Sequence, residues 1–70
     1  MKFYVLDGCI NGRAIKGKKF FSRSSAEIGL GKILTKHDLQ VEDDRFPAKH
    51  TEEFVCDDYT RFSISRVVVD

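Results

Sequence analysis

Three groups of residues in this chain have the types that chemistry requires, and their spacing decides what each could do. Gly12-Arg13-Ala14-Ile15-Lys16-Gly17-Lys18 matches the first seven positions of G-x-x-x-x-G-K-[ST], a loop whose backbone amides cradle phosphates. Lys19 stands where a Ser or Thr would hold magnesium, and the segment leads into a strand where the cradle needs a helix N-terminus. The segment therefore reads as a basic hairpin arm. Cys9, His37, His50 and Cys56 include the atom types of a tetrahedral zinc site, but their gaps of 28, 13 and 6 residues contain none of the close pairs that structural sites use. Cys56, His37 and Asp57 could be drawn as a cysteine–histidine–acid set, yet one small core has little room to enclose a substrate. The expectation is a protein without catalytic residues, bound metal or cofactor.

The charged residues carry a stronger signal. Arg13, Lys16, Lys18, Lys19 and Arg23 follow one another with no acid between Gly12 and Arg23. A basic hairpin of this kind could lie along a phosphate backbone or enter a major groove as a two-stranded ribbon. Lysines on a strand edge also deter aggregation between sheets, without any ligand. The sequence pI of about 7.8 is below that of typical nucleic-acid modules. The acidic counterpart is Glu42, Asp43, Asp44, Glu52, Glu53, Asp57 and Asp58. It could neutralise the basic hairpin, present a negative surface to a basic partner, or simply be solvated. The net charge of +1 hides a polarity, since residues 1–36 carry a net of +6 and residues 37–70 a net of −5.

These residues must be positioned by few elements. Asn11-Gly12 is the strongest short-range signal for a type I′ turn, so residues 2–21 read as a β-hairpin. A two-residue loop pairs Ile10 with Arg13, Cys9 with Ala14, Asp7 with Lys16, Val5 with Lys18 and Phe3 with Phe20. One face then holds Phe3, Val5, Cys9, Ala14 and Phe20 with Asp7, Lys16 and Lys18. The other holds Tyr4, Leu6, Ile10, Ile15 and Phe21 with Arg13 and Lys19, and this face is expected to meet a helix. Gly8 and Gly17 suggest a bulge or bend in the ladder.

The helix is expected between residues 22 and 38. Its N-cap is Ser22, with Phe21 stapled onto Ala26, or Ser24, with Glu27 completing a capping box. Ala26, Leu30, Ile33, Leu34 and His37 fall on one face of a 3.6-residue period. Gly29 and Gly31 cost it roughly 1 kcal/mol each, and close packing against the sheet would explain them. Leu39-Gln40-Val41 can form a short strand, and residues 43–50, with Pro47, read as a loop pinned by Phe46. Residues 51–69 form a second hairpin turning near Asp57-Asp58-Tyr59-Thr60, in which Phe62, Ile64 and Val68 alternate with polar residues. An odd-length loop puts Phe54 and Cys56 on the face of Phe62 and Ile64, gathering the larger apolar area.

The fold class is therefore α+β, a small antiparallel sheet of two hairpins on one central helix in the order β-β-α-(β)-β-β, as a single domain over residues 1–70. Seventy residues allow one core, since so short a chain buries only about 60% of the surface it exposes when unfolded. With 41% hydrophobic and 33% charged residues it is too apolar to stay disordered. Two cysteines do not make a disulfide scaffold, and no segment has the roughly 18 apolar residues of a membrane span. The four apolar residues Phe3 to Leu6 fall short of a signal-peptide core. Leu6-Asp7-Gly8-Cys9 lacks the hydrophobic stretch of a lipoprotein signal. A cytoplasmic location is the expectation. In size and layout the chain resembles small accessory proteins of bacterial phages and mobile elements, a likeness that no motif carries.

One helix can cover one side of a sheet. Phe3, Val5 and Phe20, with Val67 and Val69, are left as a candidate apolar partner face. The functional expectation is a non-enzymatic interaction module, a regulator or inhibitor that binds another protein or pairs as a homodimer. Nucleic-acid binding through the basic hairpin is the alternative.

Overall fold

In the computed structural model, which describes residues 1–70, Asn11 and Gly12 both hold positive φ, 52° and 81°. A type I′ turn demands this of its two central residues. The turn joins β1 (Lys2–Ile10) to β2 (Arg13–Ala14), and Ile10↔Arg13 and Cys9↔Ala14 pair as the turn dictates. Beyond Ala14 the ladder breaks opposite Gly8, whose carbonyl accepts from the Ile15 amide at 2.9 Å. Pairing with β1 resumes at β3 (Lys18–Phe20), one residue out of step: Leu6↔Lys18, Val5↔Lys19 and Tyr4↔Phe20. The expected register from Asp7↔Lys16 onward is thus corrected. An extra residue is accommodated in the 15–17 stretch, and a one-residue slip turns every later side chain to the opposite face.

The helix α1 (Arg23–Lys36) starts on Ser22, whose hydroxyl oxygen accepts the Ser25 amide at 3.1 Å. Phe21 does not staple onto Ala26 but stands 72% exposed, and the sheet buries Ala26 instead. At the other end His37 is the C-cap and Asp38 adopts a left-handed φ of 53°. The Asp38 amide reaches the Thr35 carbonyl and the Leu39 amide the Leu34 carbonyl, the paired bonds of a Schellman motif. Leu34 and Leu39 both pack against the core, which supplies the apolar contact that accompanies this motif. His37 is exposed, so the buried stripe of the helix ends at Leu34.

Residues 39–41 form no strand, because the helix-ending turn takes up Leu39 and the next ladder bond is Glu42 amide to Val55 carbonyl. The strand lies later, as β4 (Asp43–Ala48), in the segment expected to be a loop. An edge strand pairs on one side only, so acids and a proline are tolerated there. β4 pairs with β5 (Thr51–Asp57), with a register shift between Arg45 and Ala48 around Pro47. Phe46 pins nothing, being 70% exposed. β5 turns into β6 (Thr60–Val68), and Phe54 pairs with Phe62. A two-residue turn plus a shift between Val55 and Asp57 produces the facing that an odd loop would.

β6 then pairs with β1 along nearly its whole length, which joins the two hairpins into one antiparallel sheet in the order β2-β1-β6-β5-β4, with β3 beside β1. The helix lies over β1, β3 and β6. Between them Leu6, Ala26, Leu30, Phe62 and Ile64 form the buried core, flanked by Tyr4, Ile15, Phe20, Ile33 and Phe54. The two turns at one end are tied together. The Thr60 side chain, fully buried, accepts the Asn11 amide at 3.0 Å, and the Tyr59 carbonyl accepts the Gly12 amide at 2.8 Å. No helix is long and apolar enough to cross a membrane.

Candidate functional site

The slip in register decides where the candidate residues go. Phe20 now shares the face of Tyr4 and Leu6 and lies under the helix, where Gly29 makes room for it. A Cβ on Gly29 would sit 2.6 Å from the tip of the Phe20 ring. Phe20 thus leaves the proposed apolar partner face. Lys18 moves with Phe20 to the helix side, and Lys19 moves to the open side, its ammonium 4.4 Å from the centre of the Phe3 ring.

The open face of the sheet is accordingly more polar than expected. Ser63 donates to Asp7 at 2.7 Å, Thr51 and Ser65 share a hydrogen bond of 3.1 Å, Arg61 lies 3.9 Å from Glu53, and Arg45 bonds Asp43 at 2.6 Å. Phe3, Val5 and Val67 occupy one end of this face and are half-buried. An antiparallel sheet can expose such a face to water without a partner.

The basic residues are brought together differently from their order in the chain. Arg23, in the first turn of the helix, pairs with Glu27 at 3.0 Å and with Glu52 on β5. It is a structural ion pair, because Glu52 is only 8% exposed. Arg13 and Lys16 remain exposed near the first turn. Lys18 meets three residues that the run 13–23 does not contain. It stands with Lys32, Lys36 and His37 along a groove of about 500 Å³ between β3 and α1. Phe20, Ile28 and Ile33 give that groove an apolar floor, and no carboxylate lines it. β3 pairs only with β1, so its outer edge borders the groove with backbone groups unpaired. The signal for this site lay in Ile28, Lys32 and Lys36, spaced four apart on one ridge of the helix.

The acidic residues disperse into several roles. Glu52 is buried against Arg23, Glu53 faces Arg61, and Asp57 accepts the Tyr59 amide at 2.8 Å within the β5–β6 turn, beside the exposed Asp58. Glu42, Asp43 and Asp44 line the β4 edge, across the sheet from β3. Arg45 holds the Asp43 carboxyl below its usual range. Apart from Arg23 and Glu52, no ion pair joins the basic and acidic halves; sheet order puts Glu42, Asp43 and Asp44 on the rim opposite Lys18 and Lys19, while Asp57 and Asp58 lie at the turn beside Asn11-Gly12.

Cysteines and histidines are scattered. Cys9 is on the open face and its thiol donates to the Tyr59 carbonyl at 3.4 Å, whereas Cys56 packs against the core on the other side. Desolvation, with Asp57 and Glu42 nearby, pushes the Cys56 thiol up, which suits a packing residue more than a nucleophile. His37 caps the helix, and His50 shares a 2.9 Å hydrogen bond with Arg66. Comparison of the chain with protein-family models, curated proteins and solved structures finds no match.

Proposed function

We propose that this chain is a non-enzymatic protein-interaction module, and that its binding element is the groove between β3 and α1. Its ligand is an extended segment of a partner protein that carries carboxylates and apolar side chains in turn at every second position, and so on one face. The observation that carries this reading is the groove's make-up: basic side chains without a carboxylate, above an apolar floor, beside an unpaired strand edge.

An extended peptide laid along β3 would satisfy its backbone on that edge, while every second side chain points into the groove. Carboxylates at those positions meet Lys18, Lys32 and Lys36, and apolar ones reach Ile28 and Ile33. The concentration of positive charge on this rim also speeds the encounter with an acidic partner. Nucleic acid is the poorer fit. Sequence-tolerant binding of single strands relies on aromatic faces open to the bases along the basic groove; there the Phe20 ring lies against the helix at Gly29, and the exposed Phe21 does not line the groove. Lys19 and Arg23 are engaged with Phe3 and Glu52.

Fluorescence anisotropy of a labelled heptapeptide with glutamate and leucine in turn at its odd positions and threonine between them tests the reading. Saturable binding is expected, weakened at least about tenfold in Lys18→Glu/Lys32→Glu, a loss of about 1.4 kcal/mol. Binding unchanged by the charge reversal, or binding of a single-stranded oligonucleotide in place of the peptide, would count against it.

A further inference from the structure

The carboxylates missing from the groove are found on the far rim of the same sheet. All six residues of β4 are exposed, and Asp43 and Asp44 follow Val41 and Glu42 and precede Phe46. Asp44 pairs with Phe54, which puts it on the helix side of the sheet. Phe46 lines a cavity with Tyr4, Arg23 and Glu52 on that same side. β4 thus offers on one face a carboxylate and an exposed aromatic ring two residues apart, which is the repeat of a strand.

We propose that the β4 edge of one copy seats in the β3–α1 groove of the next, so that molecules associate head to tail. This rests on the groove being an acceptor for an acidic, apolar strand. β3 runs antiparallel to β1, and β4 is linked to β1 by three antiparallel pairings through β5 and β6, so β3 and β4 point the same way. A copy translated along the sheet lays β4 parallel to β3 and keeps both helices on one side. Asp44 and Phe46 then turn toward the lysines and the apolar floor of the groove.

Charge favours unlike edges. A two-fold β3 pairing sets Lys19 against Lys19, and a second β4 offers Asp44 none of the lysines of the groove. The remaining pairing joins unlike edges. It is therefore heterologous and builds rings or open chains, not closed two-fold dimers.

Sedimentation velocity across a concentration series tests this. The wild-type average mass should rise with concentration and fall as salt is raised from ~50 to ~500 mM. Asp44→Asn/Phe46→Ser and Lys18→Glu/Lys32→Glu alter exposed side chains, and each should keep a native circular-dichroism spectrum and stay monomeric alone. Mixed in equal amounts they should form a one-to-one complex and nothing larger, because one retains the groove and the other the strand. A wild type that stays monomeric at millimolar concentration overturns the inference, as does a dimer insensitive to both changes. If the wild type is monomeric but the groove still binds the glutamate–leucine heptapeptide, only head-to-tail association fails; if neither binds, the reading of the groove fails with it.

Discussion

Arg23 and Glu52 stand 29 residues apart in the chain, and their ion pair fastens the start of the helix to β5. In the sequence Arg23 reads as one more charge in a basic run, because nothing local announces a partner so distant. Its removal leaves a buried carboxylate without compensation. Arg23→Ala should destabilise the protein by roughly 1–3 kcal/mol in urea denaturation, below the cost for a fully buried pair because Arg23 keeps contact with water. Lys19→Ala, which removes only an exposed contact with Phe3, should cost less, about 0.5–1 kcal/mol. Equal effects of the two would contradict the structural role of Arg23. His50 supplies a pH dependence. Arginine can only donate, so the His50 Nε2 must accept from Arg66, which requires the neutral ring. Partial desolvation, followed by the charges of Arg66 and Lys49, lowers the His50 pKa from its ordinary 6.5. The folded state therefore binds fewer protons than the unfolded state between the lowered value and 6.5, and stability present above 6.5 is lost as pH falls through that window. Melting temperatures measured from neutral to mildly acidic pH should fall more for the wild type than for His50→Gln.

At the scale of elements, the helix shows two glycines with opposite meanings. A side chain on Gly31 meets nothing within 4 Å, whereas one on Gly29 meets Phe20 at 2.6 Å. Gly31→Ala should stabilise by up to about 1 kcal/mol through helix propensity. In Gly29→Ala the same gain is offset by overpacking of about 1–3 kcal/mol, so a net loss is expected. Urea midpoints that move in the same direction for both would refute the close packing of Phe20 under the helix. Local chemistry made much of this legible. Asn11-Gly12 specifies its turn, Ser22 its cap, and the alternation through Phe62 and Ile64 its buried strand face. Register beyond Ala14 was not legible, because a bulge depends on how residues 15–17 meet Gly8 across the ladder. β4 escaped detection because Asp43, Asp44 and Pro47 carry loop chemistry, and an edge strand needs no apolar alternation to be held by its neighbour.

Over the whole molecule, part of the charge polarity along the chain becomes a polarity in space, with Lys18 and Lys19 on one rim and Glu42, Asp43 and Asp44 on the other. The sheet order carries β2 and β3 to one rim and β4 to the other, with β1, β6 and β5 between. The candidate site was only partly legible for the same reason. Lys18 belongs to the hairpin and Lys32, Lys36 and His37 to the helix, and only the packing of Phe20 on Gly29 brings them beside one groove. The expected partner face lost Phe20 by the same slip that built the groove. The central claim, that binding occurs between β3 and α1, is tested most directly by mapping amide chemical shifts while titrating the glutamate–leucine heptapeptide into isotopically labelled protein. The account predicts that the largest changes fall on residues 18–20 and along the helix from Ile28 to His37. Changes confined to Phe3, Val5 and Val67 on the open sheet face would contradict it.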